Sequence, residues 1–137
     1  MLRRVEILGR NAYTKRRLRS HFSSAGSITA INEALLAGGR IISVQVLNEF
    51  VAISCRKLKL AWPEIHEILT TIRAFCEVVP VTVEIHETGL TIAERFNLSF
   101  YDSLILAAAE HAGCKVVYSE DMQDDQLVGS MTVRNPF

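Results

Sequence analysis

The sequence predicts an α/β domain in which a mainly parallel sheet is covered by helices on both faces. Short, almost wholly apolar segments alternate along the chain with longer segments whose apolar residues recur at helical spacing. Strands that are apolar on both sides belong to sheets buried on both faces. The 137 residues are the length of one ordinary domain, and no repeat or linker divides them. We therefore predict a single domain over residues 1–137.

The predicted strands are short segments rich in apolar and β-branched residues. They cover residues 5–8, 40–44, 78–81, 115–119 and 131–133. The first four are expected to share one mainly parallel sheet, because apolar strands alternate with helices along the chain. A polar loop is predicted over residues 120–129, between the last two strands.

Residues that favour helix ends mark the predicted helices. Ser43, Thr82 and Ser99 are placed as N-caps, Pro63 fits a first turn, and Asn97 closes a helix. The helices are predicted over residues 11–22, 28–37, 45–58, 63–75, 83–96 and 99–113. The first of them has a poor apolar stripe.

Composition excludes several classes of protein. Fifteen Lys and Arg balance fifteen Asp and Glu, so the whole chain has no net field that attracts an anionic partner. Three cysteines in apolar contexts indicate a reducing compartment, and we expect a cytoplasmic protein. No apolar stretch approaches the roughly 20 residues that cross a bilayer. The basic, Ser-containing first 22 residues also fit an organelle transit peptide, although residues 5–8 look like a strand of the fold.

Three carboxylates are predicted to meet at one edge of the sheet. In open parallel sheets, ligands bind outside the carboxyl ends of the strands, beside the starts of the helices. Glu49 lies in the second turn of one helix, Asp102 in the first turn of another, and Asp121 follows the strand 115–119. Converging carboxylates repel each other unless a cation neutralises them, and an oxygen-only ligand set suits Mg²⁺ or Mn²⁺.

Each of these residues has an ordinary structural alternative. Asp102 could complete a capping box with Ser99, Glu49 could be a solvated helix position, and Asp121 could belong to a solvated acidic loop. Ser119 is either a hydroxyl that orients a ligand or a turn residue. The four histidines lack zinc-site spacing, and the chain has no phosphate-binding glycine loop and no serine-hydrolase elbow.

Three motifs, in order and spacing, resemble the PIN-domain nucleases, and among them the VapC-type toxins of bacterial toxin–antitoxin pairs. They read ISVQVLNEF over residues 42–50, LSFYDSLI over 98–105 and VYSEDMQ over 117–123. The final VRNPF, residues 133–137, is similar to the end of that group. The resemblance covers roughly residues 28–137, whereas residues 1–27 are atypical of the family.

The resemblance implies a three-layer α/β/α sandwich and an Mg²⁺- or Mn²⁺-dependent endoribonuclease. Its metal carboxylates correspond to Glu49, Asp102 and Asp121, with Asp124 as an outer contributor and Ser119 as an orienting hydroxyl. The implied partners are an RNA substrate, a cognate antitoxin and a second copy of the chain in a homodimer, without a membrane.

The first strand departs from the family pattern. There the family usually has Asp-Thr-Asn, with the Asp as a metal ligand, and this chain has Gly9-Arg10-Asn11. Asn11 would support the turn, and Arg10 could contact the RNA backbone or remain a solvated arginine. Either the copy has lost its first ligand, or a change of reading frame has altered residues 10–27. Gly9 therefore predicts impaired cleavage.

Two alternative functions stay open at this stage. The first is a catalytically inactive PIN fold that binds an antitoxin or RNA, which Gly9 favours. The second is a signalling domain of receiver type with Asp121 as its phosphorylated residue, in which the motifs around Glu49 and Asp102 would have no role.

Overall fold

The computed structural model of the chain describes residues 5–6, 41–119 and 122–134. Several predictions lie outside these residues. They are the helices 11–22 and 28–37, strand residues 7–8 and 40, and the candidate site residues Gly9, Arg10, Asn11 and Asp121.

Helices and strands alternate along the described chain. The strands are β1 (Val5–Glu6), β2 (Ile41–Ser43), β3 (Glu77–Val79), β4 (Val116–Tyr118), β5 (Leu127–Val128) and β6 (Met131–Arg134). The helices are α1 (Val44–Arg56), α2 (Trp62–Phe75), α3 (Val83–Phe96) and α4 (Phe100–His111).

The strands pair mainly in parallel, as the sequence predicts. β4 lies between β1 and β6 and is parallel to both, with Val117 opposite Val5 on one side and Val133 on the other. β2 and β3 form a second parallel pair. Within the described residues these are two hydrogen-bonded sheets rather than the single predicted sheet, although Cα atoms of β1 and β2 approach within 8 Å.

β5 is the element that the sequence analysis missed. Leu127 and Val128 were assigned to a polar loop, but they pair with β6 in an antiparallel hairpin across a turn that contains Gly129, at φ 59°. Val128 is buried and Leu127 is exposed. A two-residue strand is too short to produce a detectable alternation of apolar and polar residues, so the pattern carries no signal for it.

The predicted helix caps are confirmed. The hydroxyls of Ser43, Thr82 and Ser99 each accept a hydrogen bond from the backbone N–H three residues later. Asn97 closes α3 in the left-handed conformation, with φ 51°, which asparagine tolerates better than most residues. Pro63 lies in the first turn of α2, where its missing N–H breaks no helical bond.

α4 runs through the centre of the core. Its residues 103–109 are all buried, and the helix packs against α3, α1 and β2. α3 approaches it at Gly89, where a Cβ atom would lie 3.0 Å from a methyl group of Leu104. In the part of the chain that the structure describes, no helix is both long and apolar enough to cross a membrane.

Candidate functional site

Glu49 projects from the second turn of α1. The helix begins directly after β2, because the Ser43 hydroxyl accepts from Val46 N at 3.4 Å and caps the first turn. The Glu49 side chain is half-buried, and its Oε2 atom is shielded from solvent. Gln45, one turn earlier, donates from Nε2 to Glu49 Oε1 at 3.4 Å. The carboxylate is thus oriented by its own helix, at the end of a buried strand.

Asp102 lies in the first turn of α4 and is also half-buried. Its backbone N–H donates to the Ser99 hydroxyl at 3.2 Å, and the Ser103 hydroxyl donates to the Ser99 carbonyl at 2.8 Å. The Ser99 half of the capping-box alternative is therefore present. This bond engages the backbone of Asp102 rather than its carboxylate.

The helices that carry the two carboxylates are in contact. α4 packs against both α1 and β2, so Glu49 and Asp102 lie in the opening turns of two neighbouring helices. The helix dipole favours the negative charge of Asp102, which lies in a first turn. These two carboxylates on contacting helices form the described part of the predicted ligand set.

The third predicted ligand, Asp121, lies outside the described residues, so the convergence of all three stays a prediction. Within residues 41–119 and 122–134, no three Asp, Glu, His or Cys side chains come together as a metal site.

Ser119 and Asp125 bracket the segment that contains Asp121. Ser119 directly follows β4 and is buried, and its N–H donates to the Arg134 carbonyl at 2.9 Å. Asp125 N donates to the Val133 carbonyl at 2.9 Å, and its carboxylate pairs with the Arg134 guanidinium. Asp124, the proposed outer contributor, is exposed. Both ends of the segment are therefore held by the last two residues of β6.

Arg134 was not singled out by the sequence analysis. Its role depends on the pairing of β6 with β4, which places Arg134 opposite Tyr118. The sequence shows an arginine at the end of a short strand but carries no signal for that register.

Residues 18–126 of the chain match the family model described as the PIN domain. The chain belongs to the PIN-domain family. The matched range contains Glu49, Asp102, Asp121 and Asp124 but not Gly9. No curated protein matches this PIN-domain chain significantly by sequence.

Solved structures with the same fold include three toxin–antitoxin proteins. VapBC2 from Rickettsia felis, bound to a promoter DNA fragment, has 14% identity and a TM-score of 0.68, covering 96% of this chain and 98% of its own. DNA-bound VapBC from Salmonella typhimurium has 16% identity and a TM-score of 0.68, covering 98% of each chain. VapC20 from Mycobacterium tuberculosis, described as a toxin that cleaves the sarcin–ricin loop, has 14% identity and a TM-score of 0.52, covering 82% of this chain and 86% of its own. At these identities the likeness establishes the α/β PIN fold that the sequence predicts.

The donor chemistry of the described site fits a hard divalent cation. Carboxylate oxygens are the ligands that Mg²⁺ and Mn²⁺ prefer, and Glu49 and Asp102 both supply such oxygens.

Proposed function

We propose that this PIN-domain protein is a VapC-type toxin, a metal-dependent endoribonuclease that hydrolyses RNA phosphodiester bonds. The observation that carries the proposal is the placement of Glu49 and Asp102 in the opening turns of two contacting helices of a PIN fold. The toxin–antitoxin neighbours support an antitoxin as the partner protein and a homodimer as the assembly. We place the activity in the cytoplasm.

In the proposed mechanism Glu49, Asp102 and Asp121 would hold Mg²⁺ or Mn²⁺, with Asp124 as an outer contributor. A cation there would supply an acidified water for the attack and positive charge opposite the scissile phosphate. Gln45 keeps the Glu49 carboxylate oriented by its hydrogen bond. Ser119 orients Asp121 or the attacking water.

Two residues that follow the predicted first strand complete the proposed substrate site. Asn11 supports the turn after the strand, and Arg10 contacts the RNA backbone. Phosphate contacts of this kind position the substrate without selecting its sequence.

Gly9 replaces the first acidic ligand of the family and predicts slow cleavage. With three carboxylates instead of four, the site loses one negative charge and one direct oxygen, so its affinity for Mg²⁺ falls. We expect Gly9→Asp to raise metal-dependent RNA cleavage by roughly 10²–10³-fold, the magnitude typical of one strongly stabilising group. Single-turnover cleavage of RNA over a Mg²⁺ titration measures the gain.

Two further variants make this experiment specific to the site. Adding Asp102→Asn should abolish the gain, whereas adding Glu110→Gln, an exposed residue in the last turn of the same helix, should leave it intact. If Gly9→Asp alters neither metal binding nor cleavage, the proposed position of the first strand is wrong or the protein is no nuclease.

The alternative is an inactive PIN fold that binds an antitoxin or RNA without cutting, and Gly9 is the residue that favours it. On that alternative the Gly9→Asp variant would still bind its partner, and Asp102→Asn would change no measured rate. Full cleavage by the unmodified chain would instead mean that another group supplies the missing ligand.

A further inference from the structure

An exposed basic and aromatic surface lies at the turn between α1 and α2. Arg56 ends α1, Lys57 and Lys59 lie in the turn, and Trp62 begins α2; all four side chains are exposed. We call these four residues the basic turn. None of them belongs to the candidate metal site, and Trp62 is 61% exposed although it is the one tryptophan of the chain.

The backbone of the basic turn is well anchored. Lys57 N and Leu58 N both donate to the Ile53 carbonyl, at 2.8 and 3.2 Å, and Leu60 N donates to the Ser54 carbonyl at 3.1 Å. Leu58 is buried beneath the turn, and Lys59 adopts a left-handed conformation with φ 51°. A lysine in this conformation is uncommon, and its backbone strain is balanced by the surrounding bonds. The turn therefore presents its cations from a fixed backbone.

The start of α2 is fixed independently of the Trp62 side chain. The Glu64 carboxylate accepts from Ala61 N at 2.9 Å and closes the first turn. The apolar anchor of this turn is Ile65, which is buried, so Trp62 is left facing solvent. An exposed indole contributes little to the core and offers a flat face on which a base can stack.

The charge of the basic turn stands out against the rest of the described chain. Residues 41–119 and 122–134 contain seven Lys and Arg but eleven Asp and Glu, and three of the seven cations lie within residues 56–59. A local cationic cluster among described residues that are otherwise mostly acidic attracts an anion to that place.

The basic turn shares a helix face with the candidate site. Arg56 follows Glu49 by seven residues, which is two turns of α1, so both side chains leave the same side of the helix. The rise of an α-helix separates them by about 10 Å along the axis. A nucleic-acid strand bound near Glu49 could therefore continue along α1 to the basic turn.

We propose that the basic turn binds single-stranded RNA, with a base stacked on Trp62 and phosphates paired with Arg56, Lys57 and Lys59. Cations beside an exposed aromatic face form the usual combination for a single strand, whose unpaired bases are free to stack. The identification of this RNA as the substrate rests on the proposed function; the binding surface itself does not.

The single tryptophan makes the test direct, because fluorescence excited at a wavelength that tyrosine does not absorb reports on Trp62 alone. The full chain is titrated with a short oligouridylate in EDTA, so that no cleavage occurs. We expect quenching on binding, with a log–log salt dependence of about −2, since each phosphate neutralised in a single strand contributes about −0.7. Absence of quenching at low salt overturns the proposal.

Matched variants separate local contacts from general charge. Lys57→Gln with Lys59→Gln should reduce the salt slope by about 1.4, whereas Arg73→Gln with Arg95→Gln removes two exposed cations from α2 and α3 and should leave it unchanged. Trp62→Leu should weaken binding of labelled oligouridylate by roughly 5- to 150-fold, and Trp62→Phe should restore most of it. If the two pairs of charge variants change the salt slope equally, the proposal is overturned. It is also overturned if polyglutamate binds the basic turn more tightly than oligouridylate does.

The outcomes also distinguish this proposal from the proposed function. If RNA quenches Trp62 fluorescence but no variant cleaves RNA, the result supports RNA binding at the basic turn and contradicts the proposed nuclease activity. The opposite result would be metal-dependent cleavage with no quenching, and a rate and KM that Trp62→Leu does not change. It would contradict RNA binding at the basic turn and support the nuclease activity.

Discussion

α4 and α2 have similar lengths but occupy opposite environments. α4 is buried over residues 103–109, whereas Ile65 is the buried residue among the described side chains of α2, with Ile68, Leu69 and Ile72 half-buried. α4 is therefore an interior helix and α2 a surface helix with one apolar stripe.

This difference matches the demands of the two candidate surfaces. A metal ligand must be held in a narrow geometry by supporting side chains, and Asp102 sits on the interior helix. Long basic side chains can reach phosphates over a range of positions, and they lie beside the surface helix. The molecule thus separates a rigid candidate site from an adaptable one.

The largest expected effect on stability comes from replacing one leucine by alanine in each of the two helices. Leu106→Ala, at a fully buried position of α4, should lower the free energy of unfolding by about 2–5 kcal/mol, because it leaves a cavity in a packed core. Leu69→Ala, at a half-buried position of α2, should cost less than about half as much. Urea denaturation measures both. Equal losses would mean that α2 is as much a part of the core as α4.

The second test concerns the close approach of α3 to α4. Gly89→Ala places a Cβ atom 3.0 Å from the Leu104 methyl group, and we expect a net loss of about 1–2 kcal/mol after the gain in helix propensity. Leu104→Val shortens the side chain by one carbon and has no δ-methyl group to meet the new Cβ atom, so the double variant should lose less than the sum of the two single losses. Additive losses in a denaturation cycle would show that the contact at Gly89 does not limit the packing.

The smallest expected effect is electrostatic and lies at the exposed rim of the same helix pair. Hydrogen bonds from the backbone N–H of Glu84 and from Thr82, with a smaller contribution from the charge of His111 in α4, hold the pKa of Glu84 below its ordinary value of 4.5. Because the folded-state pKa is the lower one, this carboxylate stabilises the fold above about pH 4.5 and loses that benefit as the pH falls through its folded-state pKa.

Glu84→Gln should therefore lower the stability of the protein at neutral pH. In acid, the stability of the variant should lie closer to that of the parent. Urea midpoints at pH 7 and pH 3 measure the change. Glu94→Gln, on the same helix but far from its cap, is the matched control. A constant difference between parent and Glu84→Gln at both pH values would contradict the assignment.

Helix starts were predictable because their chemistry is local. Ser43, Thr82 and Ser99 each bond to a backbone group three residues away, and a sequence displays that spacing directly. The same property placed Glu49 and Asp102 correctly at the beginnings of helices. Their membership of one site with Asp121 depends on contacts between distant segments, so the chain alone leaves it a hypothesis.

Features that depend on register or exposure were not predictable. β5 is too short to show a period, and Arg134 acquires its contacts only through the pairing of β6 with β4. The exposure of Trp62 could not be predicted either, because the neighbouring apolar residues Leu60 and Ile65 give this segment a sequence typical of a buried helix. These properties come from tertiary packing, which overrides local preference.

The two anchors on Arg134 have a consequence for the newly made chain. Ser119 and Asp125 are tied to Arg134 through its carbonyl and its guanidinium respectively. A nascent chain that ends before residue 134 lacks both ties, however completely α1 and α4 have folded. We therefore expect Ser119 and Asp125 to reach these positions only after β6 leaves the ribosome and joins β4. Any activity that depends on Ser119 would then begin only after β6 has been synthesised.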